Sequence, residues 1–224
     1  MTTSTKTGRP GSRGEPEKTR AAILKSALEE FAHEGVTGAR TDEIARRAGV
    51  NKALLYYYFK DKEGLYAAAL EEVFSGLHDR VMAVLDNASL QPREKLLKYV
   101  EAHFDYIASA PVYPRLVQRE FMRTVGRTLS PVASRVLERY AKPIYTKIQV
   151  LLQHGIETGD FRQVDPLQTM TSILGTIAFY FISLPAQQAM YPGDPTSPER
   201  IASRRTAILD FVSAAVFNPA TKKG

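Results

Sequence analysis

Residues 41–65 read TDEIARRAGVNKALLYYYFKDKEGL, and the reading of this stretch decides the fold. Thr41 offers a hydroxyl that can cap a helix, and Asp42 and Glu43 suit the positive end of its dipole. Ile44, Ala45 and Ala48 make an inward stripe. Gly49 permits the left-handed conformation that ends a helix, and Val50 can plug the turn. Asn51 is a good N-cap for a second helix. Stepping ~100° per residue from Lys52 puts Leu55, Tyr56 and Phe59 on one side of that helix. Ala53, Leu54, Tyr57 and Tyr58 fall on the other. Two short helices around a glycine turn, the second ending in aromatics, form the pattern of a helix-turn-helix, which lays its second helix in the DNA major groove. Small Ala53 allows close approach, Leu54 can touch a thymine methyl, and the Tyr hydroxyls can reach phosphates or base edges. The bland alternative makes the aromatics the core of an ordinary helical hairpin. Turn, caps, aromatic run and flanking charges together speak against it.

The region from about residue 17 to 65 resembles the TetR family of bacterial transcriptional regulators. The residues that carry the resemblance are Gly35, Ile44-Ala45, Ala48-Gly49-Val50, Leu55-Tyr56-Tyr57-Tyr58-Phe59, Lys62-Glu63 and Leu65. Position by position, the resemblance implies that Lys52, Ala53, Leu54 and Tyr57 face base edges. It implies that Tyr58, Lys62 and the start of the first motif helix, near Arg40 and Thr41, hold phosphates. Three departures from the family pattern matter. Ala53 stands where the family often has Gly, and Leu54 where it often has Thr, so a hydrogen bond gives way to apolar contact. The capping hydroxyl is often one place earlier, where this chain has Arg40, which leaves the phosphate contact open between Arg40 and Thr41. Lys62 is also readable as a solvated surface lysine.

Composition bounds the rest. The chain has 224 residues, 44% hydrophobic, enough for one or two compact domains. Of the net charge of +6, residues 1–62 hold +4, with 12 Lys/Arg against 8 Asp/Glu. The excess sits at the end expected to meet DNA. No cysteine is present, which excludes a disulfide framework and thiolate chemistry. The N-terminus has basic residues but no apolar signal region. The apolar run from Ile173 to Leu184 is too short for a membrane span of ~20 residues. A soluble cytoplasmic protein is expected.

The spacing predicts an all-α chain of about nine helices. Residues 1–15 read as a disordered basic arm in which Lys6, Arg9 and Arg13 could follow DNA, or as a solvated tail. Residues 16–60 read as a three-helix DNA-binding domain, its first helix running to about Glu34 with Ile23, Leu24, Ala27, Leu28 and Phe31 inward. Residues 61–218 read as a larger helical ligand-binding and dimerisation domain. Its helices run from Asp61-Lys62 to the break at Asn87–Pro92, then to about Ser109, to about Thr124 after a turn at Pro111 and Pro114, and from Ser130-Pro131 to about Gly159 with a kink at Pro143. A further helix starts at Asp165-Pro166 and ends at Pro185, a loop covers 186–198, and a last helix runs from Ser197-Pro198 to about Phe217.

Residues 167–184 are apolar nearly all round, as in a helix buried on every side. The resemblance implies that this helix and the last one pair with their copies in a homodimer, through Ser172, Gly175, Ala178, Phe181, Ile208, Phe211 and Val212. The alternative is that they complete a monomer core. A dimer suits a palindromic operator. The resemblance also implies a small effector in the middle helices, whose binding shifts the fourth helix. Tyr99, His103 and Tyr106 follow helical spacing beside an apolar stripe and could line a pocket, or be rim residues. Arg115, Arg119, Arg123 and Arg127 recur every four residues, largely away from Leu116, Val117, Phe121 and Val125; Arg123 is the best anion contact, unless the stripe is a solvated face.

No enzyme signature appears. The four His are far apart, and there is no nucleophile motif or Gly-rich phosphate loop after a strand. No metal or cofactor is expected. The expectation is a sequence-specific transcriptional regulator, a repressor, tuned on its operator by a small ligand. The alternatives are a ligand-independent DNA binder and an all-helical enzyme.

Overall fold

A computed structural model of the chain describes residues 15–110, 112–124 and 128–219. The expected basic arm, with Lys6, Arg9 and Arg13, lies outside the described residues, as do Pro111, Val125 and Arg127. The chain divides into two compact units, Met1–Ala69 and Leu70–Gly224.

The first unit holds α1 (Glu15–Gly38), α2 (Thr41–Arg47), α3 (Lys52–Phe59) and the opening turns of α4 (Lys62–Leu85). Ile23, Leu24, Ala27 and Phe31 of α1 are buried with Ile44, Ala45, Leu55, Phe59 and Leu65. The Tyr66 ring meets Phe31 edge-on at 5.0 Å. At Gly35 (φ 70°, ψ 172°) α1 leaves helical geometry, close to the end at Glu34 that the sequence predicts. Gly49 (φ 69°) ends α2 as expected. The Val50 N–H reaches the Ala45 carbonyl at 3.0 Å and the Gly49 N–H the Arg46 carbonyl at 3.2 Å, the paired bonds of a Schellman motif.

The second unit continues α4 and adds α5 (Pro92–Ser109), α6 (Val112–Thr124), α7 (Pro131–Val136), α8 (Lys142–Glu157), α9 (Pro166–Ile182), α10 (Leu184–Met190) and α11 (Pro198–Val216). Its core is built from Leu96, Val100, Phe104 and Ile107 of α5, Ile148 and Leu152 of α8, Ile173 and Ile177 of α9, and Ile208 and Val212 of α11. Three prolines read as breakers all lie inside helices. Pro114 lies inside the first turn of α6 rather than in a turn before it, because first-turn N–H groups have no helical partner to lose. Pro143, where a kink within one helix was expected, follows a change of helix geometry: α7 runs into α8 through a π-helical stretch, Leu137–Ala141, and the Lys142 N–H bonds the Leu137 carbonyl five residues back. Pro185 does not close the chain into a loop but sits at the start of α10, again where a missing N–H costs nothing. With α7, the π stretch and α8 taken as one, the described residues form ten helices, one more than expected.

Among the described residues the only β pairing is one bridge between Phe161 and Phe217. No single described helix is long and apolar enough to cross a membrane; α9 and α10 pass that test only jointly, across a 60° bend.

Candidate nucleic-acid interface

α3 is placed by its ends. The Asn51 side chain accepts the Leu54 N–H at 2.8 Å, the predicted cap. Leu55 and Phe59 are buried, and the Arg20 guanidinium lies 5.2 Å from the Phe59 ring centroid. The opposite face is open: Tyr57 is 81% exposed, Leu54 36%, and Ala53 is exposed too. Tyr58 is half-buried, its ring edge-on to Tyr57 at 5.4 Å.

α2 is capped differently from expectation. Arg40, not Thr41, is the N-cap, and it makes no side-chain cap bond. Thr41 is the first helical residue, is buried, and its hydroxyl lies 3.1 Å from the Tyr56 hydroxyl. The Thr41 side chain thus joins α2 to α3, and of the two candidates Arg40 is the one exposed to solvent.

Acidic groups organise the cations of this unit. Glu30, buried on α1, accepts the Arg40 backbone N–H at 3.1 Å and lies 3.4 Å from the Arg47 guanidinium, so it holds both ends of α2. Hydrogen bonds from Arg46 and then Arg47 hold the Glu43 carboxyl down at about 2. Lys52 pairs with Asp42 at 3.0 Å, and that hydrogen bond raises the lysine's pKa. Lys62 donates to the Thr37 carbonyl at 3.0 Å. Two of the predicted DNA-contacting cations therefore already have internal partners. Sequence spacing gave no signal for this, because Asp42 to Lys52 and Thr37 to Lys62 bridge different helices.

The expected ligand residues do not converge. Tyr99 and His103 are buried in the core of the second unit, with the Tyr99 hydroxyl 3.1 Å from His103 Nδ1. Their burial is at odds with the rim reading. Burial pushes the Tyr99 hydroxyl's pKa up and lowers that of His103 to about 4, so the imidazole is neutral at pH 7. Tyr106 donates to the Val73 carbonyl at 2.7 Å and lies against Gly76, where a Cβ would come 2.7 Å from its hydroxyl. Burial raises its pKa to about 12. It is a tie between α5 and α4. Arg123 binds Glu120 at 2.8 Å, so it is already paired. Arg115 and Arg119 are exposed. A small void of about 20 Å³ lies instead between α4, α6 and α7, with Leu70, Phe74, Val117, Glu120 and Val136 among its walls.

The dimer candidates divide. Phe181, Ile208 and Val212 are buried within their own chain, the Phe181 ring tilted against Phe104 with centroids 5.3 Å apart, so they are core and not interface. Ser172, Gly175 and Phe211 are exposed, and Ala178 is half-buried. Nor is α9 buried all round: Phe179 is 68% exposed and Phe211, on α11, 57%. These two rings flank a groove with Gly175 and Ala207 on its floor. Phe179 was missed because an apolar-all-round helix gives no phase by which to choose its outer face; Ala207, on α11, carries no signal of its own. Among the described residues no group of three or more His, Asp or Glu could hold a metal.

Comparison with known proteins places this geometry. Residues 23–69 match the family described as bacterial regulatory proteins, tetR family, and residues 92–212 match the tetracyclin repressor-like C-terminal domain. The chain is 27% identical to the HTH-type transcriptional repressor SCO4008 of Streptomyces coelicolor, covering 80% of this chain and 86% of that protein. It is 26% identical to the HTH-type transcriptional regulator RutR of Escherichia coli K12, covering 75% and 76%. The ketosteroid transcriptional regulator KstR2 of Mycobacterium tuberculosis shares the fold with a TM-score of 0.72 at 23% identity, over 95% of this chain and 98% of that one. With the C-terminal match alone spanning more than half of its length, the chain belongs to the tetR family and is a helix-turn-helix DNA-binding regulatory protein.

Proposed function

We propose that the protein is a ligand-responsive repressor that binds a palindromic operator as a homodimer. The single observation that carries DNA reading is the α3 face. Ala53, Leu54 and Tyr57 stand in solvent on a helix whose other side is locked into the core by Leu55 and Phe59. A rigid helix with a small residue, an aliphatic and a phenol outward fits a major groove better than it fits water.

In this reading residues 16–60 form the DNA-binding domain and 61–218 the ligand-binding and dimerisation domain. Lys52, Ala53, Leu54 and Tyr57 face base edges. Arg40, Tyr58 and Lys62 hold phosphates, Lys62 with the two ammonium N–H groups not used by Thr37. Thr41 acts through Tyr56. A second copy covers Ser172, Gly175, Ala178 and Phe211, now with Phe179 and Ala207. A small effector wedges open the void between α4, α6 and α7 and moves α4, which begins in the DNA-binding unit. The protein works in the cytoplasm, as a binding protein and not an enzyme, in keeping with relatives that are transcriptional regulators.

Selection of duplexes from random DNA by the purified protein tests the reading. A recovered palindrome is the expected result. Binding without enrichment, vanishing in moderate salt, would leave only nonspecific charge attraction and overturn it.

A further inference from the structure

The exposed apolar residues of α9 and α11 are spaced for a two-fold axis. On α9 the large ones are Leu167, 50% exposed, and Phe179, and between them Thr171, Ser172 and Gly175 face solvent. A Cβ at Gly175 would meet nothing within 4 Å, so the centre of this stripe admits a close neighbour. α9 carries no charged residue. Leu167 also walls a second groove with Val150 of α8, which is 63% exposed. On α11, Ser203, Ala207, Asp210 and Phe211 are exposed. At ~100° per residue these and Arg204 lie within about 60° of Ala207.

A two-fold contact is isologous: if one residue meets a second, the second meets the first. Where a helix crosses its own copy antiparallel, such pairs are symmetric about the crossing. Pairing the two large apolar residues of α9 puts its crossing at Ile173, midway between Leu167 and Phe179. On α11, Ala207 is midway between Phe211 and Ser203, a large residue and a small one. The two levels coincide. Arg204 donates to the Thr176 carbonyl at 2.8 Å, and the Tyr180 hydroxyl reaches the Pro195 carbonyl, ahead of α11, so the two helices run antiparallel. Three residues back from Thr176 and three on from Arg204 lie Ile173 and Ala207, so one axis serves both helices. The charges agree with this register. Arg205 is held by Glu101 and Asp105, whereas neither Arg204 nor Asp210 has an ion-pair partner among the described residues. An antiparallel crossing at Ala207 brings Asp210 toward the partner's Ser203 and the partner's Arg204. A parallel one would set each charge beside its own copy, which costs affinity. We propose that α9 and α11 cross their copies antiparallel at Ile173 and Ala207. The partner's Phe179 then sits in the groove of Val150 and Leu167, and the partner's Phe211 lies over Ser203 and the Arg204 guanidinium. This register rests on the reading of the protein as a homodimer through the α9–α11 face.

The chain has no cysteine, so single substitutions in the full-length protein report contacts between copies. On oxidation Ala207→Cys should give a disulfide-linked dimer, because the crossing brings the two copies of this position within the roughly 4.4–6.8 Å that a disulfide spans between Cα atoms. Ala202→Cys, turned ~140° from it around α11, should not link. Leu167→Cys and Phe179→Cys should each stay unlinked alone, since Leu167 and Phe179 lie ~18 Å apart along α9, and should link when co-expressed. Leu167→Ser, outside the groove between Phe179 and Phe211, should raise the dimer dissociation constant about tenfold. Sedimentation of the wild-type protein keeps the two readings apart. A wild-type monomer at every concentration removes the homodimer and this register together. A wild-type dimer in which Ala207→Cys stays unlinked, or in which Leu167→Cys links alone, keeps the homodimer and overturns the register.

Discussion

Phe211 and Phe181 lie on neighbouring helices and face opposite ways, and their substitution should separate assembly from folding. Phe211 is 57% exposed and Phe179, across the groove, 68%. A Phe side chain offers ~150–250 Å², so Phe211 leaves on the order of 100 Å² in water. At ~25 cal/mol per Å² its burial stabilises by about 2.5 kcal/mol. Two-fold symmetry counts each substitution twice, so Phe211→Ser removes about 5 kcal/mol from the dimer, less whatever rigid-body and ordering terms absorb. The dimer dissociation constant should rise by about three powers of ten. Sedimentation equilibrium over a wide concentration range reads this directly, and any fall in melting temperature should come through the lost association and so depend on protein concentration. Phe181→Ala should do the reverse. Its ring is buried against Phe104, and emptying such a site costs ~3–5 kcal/mol of folding stability. The protein that remains folded should still be a dimer. A Phe211→Ser protein with wild-type association would refute the reasoning and move the interface off the α9–α11 face.

Tyr57→Ala should leave the fold intact and cost ~1–3 kcal/mol of discrimination between operator and scrambled duplex; an equal loss on both, measured by competition, would place Tyr57 on the backbone. Lys62→Ala should lower the slope of log affinity against log salt by about one unit; an unchanged slope would reduce Lys62 to its bond with Thr37. Burial keeps His103 neutral down to about pH 4, whereas in the unfolded chain it titrates near 6.5. The unfolded state thus binds more protons in that window, so stability falls as pH falls from 6.5 to 4, by up to about 3 kcal/mol. His103→Gln should flatten this part of the profile, and parallel denaturant melts with identical pH dependence in the two proteins would show that the imidazole is not the group responsible.

The motif unit was legible in the sequence because each of its signals is local. A Gly with positive φ, an Asn at an N-cap and a 3.6-residue apolar phase act within one turn of themselves, and Gly49, Asn51, Leu55 and Phe59 do what their types demand. The cap of α2 is the exception, and its cause is tertiary. Thr41 had a hydroxyl suited to capping, but Tyr56 from the next helix competes for it. The second unit was less legible for the same reason. Tyr99, His103 and Tyr106 share a helical spacing that fits a pocket wall, yet two are sealed in the core and the third is spent on the Val73 carbonyl. Nothing in α5 itself specifies what packs across it. Glu120 went unread because a lone Glu in an Arg-rich helix looks like a solvated partner, and only the fold buries it.

The charges of the first unit bear on how DNA recognition can work there. Lys52 is held by Asp42, Arg46 by Glu43, and Arg47 by Glu43 and Glu30. A phosphate that approaches these cations exchanges one anionic partner for another, so each such contact adds less affinity than a cation taken from water would. What the pairs supply is position: Lys52 lies at the start of α3 with its ammonium tied to α2, and the two helices are fixed by these bridges and by Thr41–Tyr56 before DNA arrives. Preorganisation of this kind lowers the ordering cost of docking. If the proposed DNA reading holds, the discriminating part of the surface is the uncharged one. Among the described residues the Ala53, Leu54 and Tyr57 side chains have no hydrogen-bond partner to give up, and in that reading each would sense shape, a methyl group or a single hydrogen bond at a base edge.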